Sequence, residues 1–200
     1  MIDGILVFGR DQREHDQRLA DVLARRNQAE VTLNEKKCQF RVSSVKFLGV
    51  VVDAKGISPD PDKVKDIRDL PAPVNVSGVR RLLGMVNHVA RFIPNRSDVT
   101  TPIRSLLNKK STWIWGHSQE EAFTRVKSLL SSETCMAKYH PHYQTVVSAD
   151  ASSHGLGAVL FQDQPSGLRR VVAYASRSLT PTEGRYSQTE KETGSHMGRG

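Results

Sequence analysis

The stretch "VVSADASSHGLGAVLFQ", Val146 to Gln162, sets one carboxylate, Asp150, at the end of a β-branched apolar run, and a second apolar run follows a string of small residues. Apolar runs of this length with serines and glycines between them read as two strands and a turn. The turn signal "DQPSG" (163–167) then precedes a third run, which makes the second and third strands a hairpin. The stretch therefore predicts three short strands, Thr145–Ala149, Gly155–Gln162 and Arg169–Ser176, with Asp150 as their one chemically interesting residue. Ala151, Ser152, Ser153 and Gly155 leave room for a ligand backbone to approach that acid.

Downstream, "YSQTEKE" opens a helix with Ser187 and Glu190 in capping-box spacing, and the glycines of "TGSHMGRG" break it. Upstream the texture is helical. Prolines 59, 61, 71 and 73 bracket a short helix from Asp62 to about Asp69. "NVSGVRRLLGMVNHVARFIPN" (75–95) is a longer amphipathic helix with Val79, Leu82, Leu83, Val86 and Val89 inward and Arg80, Arg81 and Arg91 outward. It should stop at the Ile93-Pro94 step. "DVTTPIRSLLNKK" (98–110) gives another helix. "STWIWGHSQEEAFTRVKSLLSS" (111–132) gives an exposed tryptophan pair and a helix capped by Ser118 and Glu121. Further back, "IDGILVF" (2–8) reads as a strand in need of neighbours and Asp11–Arg26 as a helix with Leu19, Val22 and Leu23 on one face. "VTLNEKKCQF" (31–40) and "VKFLGVVVDAKG" (45–56) read as short strands with tight turns.

The 200 residues carry 38% apolar and 25% charged side chains and a formal charge of +8, an excess that attracts polyanions, nucleic acid above all. Cys38 and Cys135 lie far apart in no metal-binding spacing, which speaks against a disulfide framework and for a reducing, intracellular setting, cytoplasmic or nuclear. No run approaches the roughly 20 apolar residues that span a bilayer, so a membrane partner is not expected. His140, His142 and His154 lack cysteine neighbours and make a weak zinc signal.

Four quoted stretches, "ILVFGRDQREHDQRLADVL", "VKFLGVVVDAKGISPDPDKV", "LLGMVNHVARFIPN" and "SADASSHGLGAVLFQ…VAYASRSLTPTEGRYSQTEKE", resemble, in this order, the Pol polyprotein of gypsy-type LTR retrotransposons. The resemblance runs from Met1 to about Thr193. It implies an α+β chain: the end of a reverse transcriptase palm (1–58), a helical thumb (59–110), a connector (111–141) and a truncated ribonuclease H-like β/α domain (142–193), with 194–200 an unrelated tail.

The resemblance also implies site residues. Asp3 matches the first acid of a polymerase Asp-Asp pair, but the second position is Gly4, which has no ligand atom, so no polymerase activity is expected of these residues alone. Phe47, Leu48 and Gly49 match the primer-grip hairpin. Lys63, Lys65, Arg80, Arg81 and Arg91 are placed to touch phosphates of an RNA–DNA hybrid or DNA duplex. Asp150 matches the first catalytic aspartate of ribonuclease H, and Glu192 the glutamate of its first helix. Asp3 at the polymerase position, and Asp150 and Glu192 at the cleavage site, would be ligands of Mg²⁺ or Mn²⁺, weakly held because the family's cleavage site uses about four acids around two ions. The remaining acids, and the rest of Pol as a partner, are expected outside these residues. A non-catalytic remnant that binds nucleic acid and an actin-like or sugar-kinase ATPase are the competing readings. The sheet after His142 is expected to be the least stable part, since a three-stranded sheet without covering helices leaves a face bare.

Overall fold

Caps set the helix ends. The computed structural model describes residues 4–108, 112–131, 135–180 and 182–185. Helix α2 (Pro61–Arg68) starts with proline in its first turn, and the Asp60 carboxylate accepts from the Asp62 N–H. Helix α3 (Val76–His88) is capped by Asn75, whose side chain accepts from the Gly78 N–H. It stops short of the expected Ile93-Pro94 step, and a 3-10 turn, Ala90–Phe92, replaces its last part. Helix α4 (Arg96–Ser105) follows Asn95, which sits in the left-handed region at φ 47°. Helix α5 (His117–Ser131) begins before the predicted cap: the Gly116 N–H donates to Gln119 Oε1 at 3.1 Å, while Glu121 pairs with His117 at 3.3 Å.

The inward faces meet in one core. Val64 and Ile67 of α2, Val79, Leu82 and Val86 of α3, Ile103 of α4 and Phe123 and Val126 of α5 are all buried, with Val89, Phe92 and Ile93 between them. Each fully buried side chain of this kind stabilises by about 1.5–3 kcal/mol. Trp113 and Trp115, expected at the surface, are half-buried against this core, with ring centroids 6.4 Å apart.

Two three-stranded antiparallel sheets flank the helices, in orders β1-β2-β3 and β4-β5-β6. The first comprises β1 (Ser44–Phe47), β2 (Val50–Asp53) and β3 (Ile57–Pro59). The second comprises β4 (Thr145–Ala151), β5 (Gly155–Asp163) and β6 (Arg169–Ser178), close to the predicted runs. Residues 135–137 join them. Ile57 and Met136 exchange backbone hydrogen bonds of 2.8 Å in each direction, and the Ala137 N–H donates to the Val171 carbonyl at 2.7 Å. Val171 and Tyr174 of β6 pack on the helical core, so the second sheet and the helices form one body.

The N-terminal part is different. Residues 4–9 form no strand, and 31–40 contain a 3-10 turn, Glu35–Lys37, in place of the predicted strand. A strand needs a paired edge, and neither segment has one among the described residues. Helix α1 (Gln12–Gln28) forms as expected but buries none of its residues. Among the described residues none before Gly56 is buried, while Ile5, Phe8, Phe40 and Val42 are exposed. This reverses the expected order of stability, because the sheet after His142 shares the core and the N-terminal part has none. Limited proteolysis of the chain should therefore cut first within residues 4–43, before the β4–β6 sheet. Initial cuts after residue 142, read by mass spectrometry, would contradict this.

Candidate functional site

Asp150 lies near the end of β4, which continues to Ala151, and is exposed. Its Cα partner on β5 is Gly157, which is paired in turn with Ser176 on β6. Directly paired residues of antiparallel strands point to the same face, so Asp150, Gly157 and Ser176 make a row across the sheet. That face meets the start of α4. A Cβ on Gly157 would lie 2.5 Å from Asn95 Oδ1, and one on Gly155 would lie 2.9 Å from Asp98 Oδ1 and 3.0 Å from Ser97 Cβ. The space at Gly155, expected to admit a ligand backbone, is filled by a helix of the same chain, and so is the space at Gly157.

The sheet also caps that helix. The Ser97 N–H donates to Ser176 Oγ at 3.1 Å, and the Ser152 hydroxyl donates to Asp98 Oδ1 at 2.8 Å. Ser152 Oγ accepts in turn from the His154 and Gly155 N–H groups, which fixes the β4–β5 turn just beyond Asp150. One Asp150 oxygen accepts from the Ala151 N–H at 2.9 Å. Beyond β6 the chain is held by a capping box, spelled by "TPTE" (180–183). The Thr180 N–H donates to Glu183 Oε2 and the Glu183 N–H to the Thr180 hydroxyl. The Arg177 guanidinium, followed by these Thr180 contacts, pulls the Glu183 carboxyl down to about 2.

Asp3 and Glu192 lie outside the described residues. Among the described residues no three His, Cys, Asp or Glu side chains converge on a metal position. His140 stacks on Tyr143 at 4.2 Å and lies 5.6 Å from His142, while His154 Nδ1 faces the Ser153 hydroxyl at 2.7 Å, so His154 is engaged apart from the other two. Mg²⁺ is a different case. It is held by one or two carboxylates plus waters and substrate phosphates, and an exposed Asp150 fits one such ligand position.

The second cluster is the β1–β2 hairpin. Its two-residue tip has Leu48 at φ 49° and Gly49 at φ 79°, both left-handed, as the tight hairpin turn requires. Leucine is strained there by about 1–2 kcal/mol, and the residue is 76% exposed, so the tip presents an apolar group to solvent. Behind it, the Phe47 ring lies 3.2 Å from where a Cβ on Gly4 would sit, so residue 4 lies against the hairpin. Lys46 ties β1 to the start of α2 by pairing with Asp60 at 3.0 Å and with Asp62. Burial opposes ionisation of Asp60, but Lys46, the Asp62 N–H and Lys63 outweigh it and hold the carboxyl below its ordinary value.

Lys63 and Lys65 on α2, Arg80 and Arg81 on α3, and Arg91 in the 3-10 turn are all exposed. None of the five makes an ion pair with a described carboxylate. Arg91 lies over the Phe92 ring at 5.7 Å. Gly84 on α3 faces open space, with nothing within 4 Å of where a Cβ would sit. No described helix is long and apolar enough to cross a membrane.

Residues 115–197 match the family described as the RNase H-like domain found in reverse transcriptase. Two transposon polyproteins of Schizosaccharomyces pombe, Tf2-7 and Tf2-3, are each 31% identical to the chain over 191 residues, which is 96% of the chain. The chain spans 14% of the length of each. The fold is similar to that of the foamy viral protease-reverse transcriptase solved with an RNA/DNA hybrid, with a TM-score of 0.78, 21% identity and coverage of 94% of this chain and 26% of that one. The corresponding structure with double-stranded DNA gives a TM-score of 0.77 at 21% identity, covering 94% of this chain and 33% of that one.

Proposed function

From its likeness to the RNase H-like domain found in reverse transcriptase and to transposon polyproteins, we propose that the chain is part of the reverse transcriptase–ribonuclease H region of a gypsy-type LTR retrotransposon Pol polyprotein, and that it carries a nucleic-acid duplex from the polymerase end of Pol toward the ribonuclease H site. Residues up to 58 are read as the palm end, 59–110 as the thumb, 111–141 as the connector and 142–193 as the start of the ribonuclease H domain. An ATPase or a degenerate remnant is not favoured by these likenesses.

The observation that carries the proposal is the single core shared by α2–α5 and β6. It holds the helices that bear Arg80 and Arg81 and the sheet that bears Asp150 as one body, so a duplex lying along the first is delivered in a fixed register to the second. The solved foamy viral relatives were complexed with an RNA/DNA hybrid and with double-stranded DNA, and the basic helices here suit the same class of ligand. Lys63, Lys65, Arg80, Arg81 and Arg91 would contact phosphates, which positions a duplex without reading its sequence. The exposed Leu48 tip, backed by Phe47 and Gly49, would steady the primer end.

Reverse transcriptases and ribonucleases H typically use divalent metals. Asp150 would supply one carboxylate to Mg²⁺ or Mn²⁺ at the ribonuclease H position, with Glu192 as a further acid, while Asp3 would belong to the separate polymerase position. When bound, the ion stabilises the charge that develops on the phosphodiester. Asp150 itself keeps one oxygen occupied by the Ala151 N–H, so the other is left to point at the ligand.

The test is salt-dependent binding of a labelled RNA–DNA hybrid. Log affinity should fall linearly with log salt concentration, as counterions are released. Replacing Arg80 and Arg81 with glutamine together should reduce the slope by about two. An affinity that stays flat from low to physiological salt would overturn the reading.

A further inference from the structure

Arg96 is an arginine in a place that ordinary stability rules disfavour. It occupies the first turn of α4, where the helix dipole repels a cation. It is half-buried, and the described partners of its guanidinium are neutral oxygens: Asn87 Oδ1 at 2.6 Å and the Ser176 carbonyl at 3.3 Å. Burial, and then the charge of Arg104 on the same helix, pull it below the ordinary arginine value. Arg104 has a neutral partner too, donating from Nε to the Thr100 hydroxyl at 3.1 Å. Neither arginine makes an ion pair with a described carboxylate. Asp98, the acid of that first turn, is taken by Ser152.

A guanidinium oriented by hydrogen bonds and without a counter-ion among the described residues makes a ready receptor for an external anion, and Arg104, two turns along the same helix, adds to the positive field. A sequence breaks local rules in this way mainly where function compensates. The location names the anion. Ser176, whose carbonyl Arg96 touches, stands in the same cross-strand row as Gly157 and Asp150. Ser176 and Asp150 are thus two strand spacings apart, ~10 Å, with Asn95 seated over Gly157 between them, a span that a nucleic-acid backbone passing outside Asn95 can bridge.

We propose that Arg96, with Arg104 behind it, is a phosphodiester contact at the junction of α4 and the β4–β6 sheet, holding the duplex backbone beside Asp150. The site rests on the duplex-binding reading above and adds to it a contact on the sheet side of the helices. The planar fork of arginine suits it to a phosphate, while the hydrogen bonds to Asn87 and Ser176 restrict its orientation before the duplex arrives.

The experiment is fluorescence anisotropy of a labelled RNA–DNA hybrid with the whole chain across a salt series, alongside thermal melts. Arg96→Gln should weaken binding about ten-fold and reduce the salt slope by about one. Its melting temperature should be unchanged or higher, since a half-buried repulsive charge has been removed. Arg96→Lys should keep most of the slope. An Arg96→Gln chain with the parent's slope overturns the proposal, and so does a lowered melting temperature with unaltered binding, which would mark a purely structural residue. Inorganic phosphate at matched ionic strength should fail to displace the hybrid, and displacement would mean a free-anion site instead. Absence of salt-dependent binding by the parent overturns the duplex reading itself, which separates the two failures. The double glutamine variant of Arg80 and Arg81 supplies the positive control.

Discussion

Gly56→Ala is expected to lower the unfolding free energy by about 2–6 kcal/mol, out of the roughly 5–15 kcal/mol that holds an ordinary domain together. Two effects add. Gly56 has φ 152°, a conformation that side chains rarely adopt, and its added Cβ would lie 2.0 Å from the Met136 carbonyl oxygen. That oxygen accepts the Ile57 N–H, so it cannot retreat without breaking the pairing between β3 and residues 135–137. The same segment bonds β6 through Ala137, and the damage should therefore reach both sheets. Gly167→Ala is the internal comparison. Its φ is 81° but nothing lies within 4 Å of the new carbon, so only the backbone strain of about 1–2 kcal/mol should appear. Urea melts of the two variants check the difference, and a Gly56→Ala loss below that of Gly167→Ala would contradict the close approach.

Asp150→Asn is expected to have the largest effect on activity. In a Pol polyprotein carrying this segment, cleavage of the RNA strand of a hybrid should fall on the order of 10³-fold. Asparagine keeps the shape but removes the negative charge that the proposed metal site would draw on, an interaction of several kcal/mol in the transition state, and each ~1.36 kcal/mol is a factor of ten. Because Asp150 is exposed and its described hydrogen bond is to the adjacent backbone, stability should hardly change. Hybrid binding should persist as well. Cleavage at the parent rate by the Asn variant would make Asp150 an ordinary strand residue.

Much of this was readable in the sequence, and the exceptions share a cause. The spacing of Val79, Leu82 and Val86 and the prolines that bracket Asp62–Asp69 are local signals, and the helices they predict are present. The β-branched runs around Asp150 likewise became β4, β5 and β6. Residues 2–8 and 31–40 carried the same apolar texture, yet the described part of the first is not a strand and the second holds only a 3-10 turn, because a strand is a property of a pair. Gly155 and Gly157 announced that something comes close to the sheet. They do not say what: the ligand backbone expected at Gly155 is replaced by Ser97 and Asp98, and Asn95 fills the space at Gly157. The bonds that seat those residues link positions 54 and 79 apart in sequence, beyond any local window. Arg96 was passed over for a related reason, since the pattern of apolar residues does not reveal whether a charge has a counter-ion.

The shared capping of α4 bears on how such elements can evolve. A helix that takes Ser176 as the cap for its own Ser97, and whose Asp98 holds the turn at Ser152, is not a module. When two diverged copies exchange genetic material, a junction between Ser105 and Thr145 would join one lineage's helix to another lineage's caps. Viable mosaics should instead break before Asn95 or after Ser178, inheriting the helix and its sheet together.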